Sequence, residues 1–241
     1  MFQKQLPSIL TSATLSNDGD FSYLIRTLGI KNPSVSTTSN SFLMEEQMEI
    51  YISDPSTTEL QKKQIKSIEN LANLLLMNKG RALVLTNSLE EVRRLRKGLE
   101  QYPMPFPILW EDTAERGYLI RTFKEEEATV LVGSDFWEGI DVPGDSLTMV
   151  IIWQLPFPAL DPLVVLQRNE VKRKGLDEKS TIDYPAMGLR LKQGCGRLIR
   201  SNEDRGKIVI MDSVFNEPYE KFVISALPKE ANIKFLGELL L

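Results

Sequence analysis

Apolar positions along the chain follow two rhythms, and they alternate. TVLVG (129–133), LTMVIIW (147–153) and KIVIMD (207–212) are uninterrupted apolar runs of strand length, the pattern of strands buried on both faces. RALVLT (81–86) and FPILW (106–110) read as further strands, and MEIYISD (48–54) alternates with period two. Between these runs, 56–78, 114–127, 162–174, 184–200 and a segment near 217–226 predict helices. Another helix announces its start. Ser88 at the N-cap and Glu91 three residues later make a capping box, and Leu89, Val92, Leu95 and Leu99 follow at helical spacing. LPSILTSATLS (6–16) predicts a short strand ending in small hydroxylated residues. NPSVSTTSNSF (32–42), rich in Ser, Thr and Asn, predicts a connector.

Strands alternating with helices imply an α/β fold with a mainly parallel central sheet and helices on both faces. Ligands of such sheets bind beyond the carboxyl ends of the strands. The loops that follow strands are therefore where chemistry is sought.

Composition narrows that search. The 241 residues, 42% apolar, suffice for one large core. A net charge of −4 leaves any nucleic-acid contact to a local patch rather than to the overall field. The chain has no histidine, so His-based acid–base catalysis, a Ser-His-Asp triad and His-ligated metals are excluded. Its single cysteine, Cys195, rules out a disulfide frame and a cysteine metal cluster. No apolar run approaches a membrane span and no signal peptide is visible, so no membrane partner is expected and the cytoplasm is the expected location.

Two strand-end loops carry candidate chemistry. GSDFWEGIDVPGDS (133–146) sets Phe136 beside Trp137, either as a plug for the core beneath the loop or as rings that stack on bases. Gly139 allows a tight turn and a close backbone approach to a ligand. Glu138 and Asp141 are suited to accept hydrogen bonds from ribose hydroxyls. Thr86, Asn87 and Ser88 end another strand just before the capped helix. Their polar side chains and the free N–H groups there make a phosphate site, unless Ser88 only caps.

A third segment, QGCGRLIRSNEDRG (193–206), concentrates cationic donors. At about 100° per residue, a helix running through it puts Gln193, Arg197 and Arg200 on one face, with Arg190 on the same side. Met187, Leu191 and Leu198 form a separate apolar stripe. A planar, permanently charged guanidinium suits phosphate or carboxylate. Gly194 and Gly196 cost about 1 kcal/mol each inside a helix, so they imply a close approach to the backbone.

TSATL (11–15), VLTNS (84–88), FWEGIDVPG (136–144) and QGCGRLIRSNEDRG occur in the order and at the spacing of motifs III, IV, V and VI of superfamily 2 helicases. The chain resembles the XPD/DinG branch of these enzymes, and QLPFPALDP (154–162) looks like the family's segment after motif V. Members often carry Ser before the Phe of motif V, where Asp135 stands here. The resemblance implies a three-layer RecA-like domain over 41–241, with 1–40 as the end of the first motor domain and a connector. It implies that Arg197 and Arg200 act as arginine fingers on the γ-phosphate and that Gln193 orients water or a finger. Gly194 and Gly196 would let the helix dock on the partner domain. Ser12, Ala13 and Thr14, in motif III, would serve coupling. The loop positions Glu138, Gly139 and Asp141 fall to the nucleotide, and Thr86, Asn87, Ser88, Phe136 and Trp137 to single-stranded DNA.

No G-x-x-x-x-G-K-[ST] occurs in the sequence. ATP and Mg²⁺ are therefore expected to be held mainly by the N-terminal motor domain of the same parent protein, with no iron–sulfur cluster in this chain. The expected activity is that of an ATP-dependent DNA helicase, with this chain inactive alone. Two alternatives stand beside it: the ATP-responsive DNA-binding part of a DinG-type exonuclease, and a non-catalytic nucleic-acid-binding domain.

Overall fold

The computed structural model describes residues 8–12, 14–38, 44–54, 67–140, 142, 146–199, 203–229 and 231–240. Seven strands form its centre: β1 Met48–Ile52, β2 Ala82–Leu85, β3 Ile108–Trp110, β4 Val130–Gly133, β5 Met149–Ile152, β6 Gly206–Ile210 and β7 Asn232–Phe235. They lie in the order β3-β4-β2-β5-β6-β1-β7, and every pairing is parallel. The helices are α1 Ser22–Leu28, α2 Met44–Gln47, α3 Ile68–Met77, α4 Leu89–Leu99, α5 Arg116–Glu125, α6 Pro162–Arg173, α7 Tyr184–Cys195, α8 Glu220–Ala226 and α9 Leu236–Leu240, with one π-helical turn, Lys179–Asp183, leading into α7.

Side-chain alternation along each strand divides the interior into two layers. Ile50, Ile52, Leu83, Leu85, Leu131, Val150, Ile152, Ile208 and Ile210 meet α5 (Leu119, Phe123), α7 (Met187, Leu191) and α8 (Val223, Ala226) on one face. Tyr51, Val84, Val130, Val132, Met149, Ile151 and Val209 meet α3 (Leu71, Leu74, Leu75) and α4 (Val92, Leu95, Leu99) on the other. This is the three-layer RecA-like α/β fold.

Several expectations need correction. Residues 8–12 form no strand, and Ile9 stands 93% exposed. A strand requires a ladder partner, and no neighbouring strand meets this segment among the described residues. The helix expected over 184–200 stops at Cys195. Arg197 N bonds Gly194 O and Leu198 N bonds Cys195 O, a tightened terminal turn around Gly196. Gln193 and Arg197 therefore share no helical face. Of the helix expected over 56–78, Ile68–Met77 is present, while 55–66 lie outside the described residues. β7 and α9, not assigned from the sequence, complete one edge of the sheet.

The leading segment lies against the end of the chain that carries α7. Asn17 Nδ2 donates to Pro185 O at 3.0 Å, Lys192 Nζ to Ser16 O at 3.3 Å, and Arg26 Nη1 to Thr181 O at 3.3 Å.

Candidate functional site

Ser88 is the N-cap of α4, and its Oγ accepts from Glu91 N at 3.2 Å. The capping box is half used, since Glu91 Oε1 instead accepts from the indole of Trp153 at 2.6 Å. Thr86 is fully buried, with its hydroxyl donating to Ser88 O at 3.4 Å. Asn87 Nδ2 donates to Leu155 O at 2.6 Å, tying this loop to the segment after β5. Of the three polar residues expected at DNA, Ser88 presents an exposed side chain, Asn87 is half-buried and the Thr86 side chain faces inward.

Phe136 and Trp137 are 0% and 1% exposed. Neither ring offers a face to a base in this conformation, so the core-plug alternative is the one the structure takes. Trp137 Nε1 donates to Thr86 O at 2.8 Å, which joins the loop after β4 to the loop after β2. A Cβ on Gly194 would lie 2.9 Å from Trp137 Cε3 and Cζ3 and 3.1 Å from Leu85 Cδ1. Gly194 thus lets α7 seat on the domain's own tryptophan. Gly196 is exposed, and a Cβ there would meet only Lys192 O and Gln193 O, at 3.3 and 3.6 Å.

Motifs III, V and VI converge at the end of α7. Gln193 Nε2 donates to Thr14 Oγ1 at 3.3 Å, and Thr14 N donates to Ser12 Oγ at 3.2 Å. Arg197 reaches the other way: Nε donates to Trp137 O at 3.3 Å and Nη1 to Ile140 O at 3.0 Å. Ala13, Asp141 and Arg200 lie outside the described residues. Glu138 and Gly139 are exposed, and Gly139 has φ +70°, a backbone state that favours glycine.

Two further arginines frame the loop, and sequence reasoning missed one of them. Arg190, noted only as sharing a helix face, lays its Cζ 5.4 Å from the centre of the Trp137 ring and donates from Nη2 to Ser134 O at 3.4 Å. Burial lowers its pKa, while Glu138 and Asp135 act to raise it. Arg116, the first residue of α5, donates to Glu138 O at 2.6 Å and pairs with Asp135 at 3.1 Å. Its one signal in the sequence is a cation in the first turn of a predicted helix, where the dipole disfavours it. Between the two guanidiniums lies a cleft of about 420 Å³ lined by Arg116, Asp135, Trp137, Glu138, Gly139 and Arg190. Beneath it, Glu111 accepts from both the backbone N and the Oγ of Ser134. Cys195 is inert by comparison: full burial pushes its thiol up to about 12.

This donor set of amide, guanidinium and hydroxyl fits one side of a polyphosphate. Among the described residues, no three His, Cys, Asp or Glu cluster to hold an ion. No helix among them is long and apolar enough to cross a membrane.

Residues 71–230 match the family described as "Helicase C-terminal domain". "Probable ATP-dependent helicase YpvA" of Bacillus subtilis is 39% identical over 97% of this chain and 35% of its own length. "ATP-dependent DNA helicase YoaA" of Haemophilus influenzae is 33% identical over 98% of this chain and 38% of its own. "3'-5' exonuclease DinG" of Bacillus subtilis is 31% identical over 94% and 26%. The solved structure of S. tokodaii Xpd4 superposes with a TM-score of 0.58 at 20% identity, over 86% of this chain and 42% of that one, a likeness of fold. The chain thus spans little more than a third of the length of these curated relatives at most. With the motifs gathered at the end of α7 and two thirds of its length matching that family, the chain belongs to the helicase C-terminal domain of XPD/DinG-type superfamily 2 helicases.

Proposed function

We propose that this chain is the second motor half of an ATP-dependent DNA helicase, and that its part in the chemistry is to present donors to a nucleotide held across a domain interface. The observation that carries this reading is the Gln193–Thr14 hydrogen bond, which joins motif VI to motif III across 179 positions of sequence. A structural α7 would need no such link to an exposed, hydroxyl-rich segment.

In this reading the chain divides its labour among named side chains. Arg200 is the finger that meets charge developing on the γ-phosphate, a contact worth roughly 10³–10⁵ in rate in other nucleotide hydrolases. Arg197, whose Nε and Nη1 are bonded to Trp137 O and Ile140 O, holds the motif V loop to motif VI and stands next to the phosphate as a second donor. Gln193 orients water or a finger, with Thr14 fixing its amide. Mg²⁺-bound ATP supplies the phosphoryl group and comes from the other motor half. Exposed Ser88 and the N-terminal N–H groups of α4 supply phosphate contacts to single-stranded DNA, while the backbone around Gly139 faces the nucleotide.

The test is single-stranded-DNA-stimulated ATP hydrolysis by the full-length protein, with Arg200→Ala and Arg197→Ala. The rate falls by about 10³ or more for at least one of them. ATP binding is better preserved, and lysine restores little because a point charge lacks the guanidinium fork. A double variant hydrolysing ATP at the wild-type rate would refute the reading. The likeness to a relative named as an exonuclease supports a second reading, in which the motor half clamps DNA in response to ATP for an attached nuclease. Strand displacement assayed beside nuclease activity separates the two.

A further inference from the structure

Residues 134–140 form an irregular loop beside the candidate site, and five of their carbonyls face arginine. Arg190 takes Ser134 O, Arg116 takes Glu138 O and reaches Asp135 O at 3.5 Å, and Arg197 takes Trp137 O and Ile140 O. The three guanidiniums come from three places: the start of α5, the middle of α7 and the turn after it. Arg190 and Arg197 belong to the segment already tied to the nucleotide. Arg116 lies outside every motif recognised in the sequence.

Its position is costly by local rules. It is the first residue of α5, where the partial positive charge of the helix end repels a cation. Glu115 has taken the cap, accepting from Gly117 N at 2.9 Å and Tyr118 N at 3.1 Å, so Arg116 adds nothing to the helix start. What it does instead is turn to the loop. Its guanidinium pairs with Asp135, donates to Glu138 O and passes 5.8 Å from the Phe136 ring centre. Gly139 is fitted to it: a Cβ there would stand 2.9 Å from Arg116 Nη2. A residue that breaks a local preference and finds its contacts elsewhere marks a placement kept for another purpose.

We propose that Arg116 is a positioning residue for the 134–140 loop, holding it at carbonyls other than those Arg197 takes, so that motif V keeps the conformation in which motif VI reaches it. This rests on the motor-domain reading given above. The hold is reversible. The ion pair is solvent-exposed, with side-chain exposures of 40% and 69%, and such pairs contribute little on their own. The charge-assisted bond to a backbone carbonyl carries most of the specificity. The loop is fastened firmly beneath by buried Phe136 and Trp137, and lightly along its outer rim by Arg116. Its outer rim is therefore free to rearrange without unseating the core.

The decisive experiment is hydrogen exchange on the full-length protein, read over peptides spanning 134–140, for wild type, Arg116→Ala and Arg116→Lys. In Arg116→Ala, exchange of that segment rises by about ten-fold or more, the scale of one lost charge-assisted hydrogen bond. The strands β4 and β2 keep their protection. Lysine does not restore it, because one ammonium cannot serve Asp135 and Glu138 O together in the planar fork's geometry. DNA-stimulated kcat falls while KM for ATP is held within roughly two-fold, the signature of an interaction made after binding. Asp135→Ala removes the exposed partner alone and gives a smaller rise in the same segment, which keeps the test open should Arg116→Ala fold poorly. Unchanged exchange in both variants, or full restoration by lysine, overturns the proposal. A wild-type protein with no DNA-stimulated ATP hydrolysis would instead refute the motor-domain reading, and the exchange result would still decide what Arg116 does for the loop.

Discussion

Gly194→Ala separates packing inside the domain from docking outside it. The added Cβ meets two ring carbons of Trp137 at 2.9 Å and Leu85 Cδ1 at 3.1 Å. Carbon pairs sit comfortably at about 3.5–4.0 Å, so α7 or the ring must move by roughly half an ångström or more. The ring is held: it is 1% exposed and its Nε1 is bonded to Thr86 O. Overpacking of this kind costs about 1–3 kcal/mol. Alanine returns at most ~1 kcal/mol in helix propensity, less so near a helix end. The net is a destabilisation of about 1–2 kcal/mol. For a domain of this size, each kcal/mol moves Tm by about 2–4 °C, so thermal melting of the 241-residue chain falls by roughly 2–8 °C. Gly196→Ala is the control: its φ is −67° and its nearest contact is a carbonyl at 3.3 Å, so it changes stability by less than about 0.5 kcal/mol. A Gly194→Ala chain that melts at or above wild type, or a Gly196→Ala chain that loses as much as Gly194→Ala, would refute the assignment of Gly194 to the Trp137 contact.

Trp137→Phe strips the donor from Thr86 O and lowers stability by about 1–3 kcal/mol in urea unfolding, the cost of an unmet buried carbonyl; no loss would mean the indole bond is idle. Cys195 resists iodoacetamide in the native chain at pH 8 and reacts once the chain is unfolded; native labelling at the rate of a free thiol would contradict its burial. Because its folded pKa is raised from 9.0 to about 12, its contribution to stability is whole below pH 9 and is lost as pH climbs from there toward 12, which urea titrations across that window measure. The chain by itself shows no ATP turnover with single-stranded DNA and Mg²⁺, since its sequence has no phosphate loop; turnover near ~1 s⁻¹ would overturn that.

The parallel core was readable because burial on both faces leaves a mark that needs no context. Val130–Gly133 and Met149–Ile152 are apolar at nearly every position, and both proved fully buried strands. Ser88 was readable too, because a cap is a local hydrogen bond. What the sequence left open depended on neighbours far along the chain. Whether Phe136 and Trp137 face bases or the core is decided by where Thr86 and Gly194 arrive. The end of α7 at Cys195 falls at Gly196, a glycine stop that the helical spacing of Gln193, Arg197 and Arg200 masks in the sequence, and Arg197 then turns to the loop carbonyls. Asn232–Phe235 alternates polar and apolar over only four positions, too short a run to read alone, and as a largely exposed edge it owes its strand to pairing with β1. Arg116 was invisible because its partners, Asp135 and Glu138, are remote in sequence and one of them is a backbone oxygen.

The strand order also sets a timetable for synthesis. Of these seven strands β1 is synthesised first, yet its two neighbours are the last: Met48 pairs with Gly206 and Glu49 with Asn232. At about 5–20 residues per second, the 158 positions from residue 48 to residue 206 take roughly 8–30 s. Through that interval Ile50 and Ile52, both wholly buried in the finished sheet, have no ladder to join. β2, β3, β4 and β5 already hold neighbouring places in the sheet and can assemble among themselves in the meantime. The nascent domain therefore passes through a stage in which four strands are paired while an apolar fifth waits outside. At that stage apolar β1 lacks its partners, and unpaired strands of this kind are prone to aggregate.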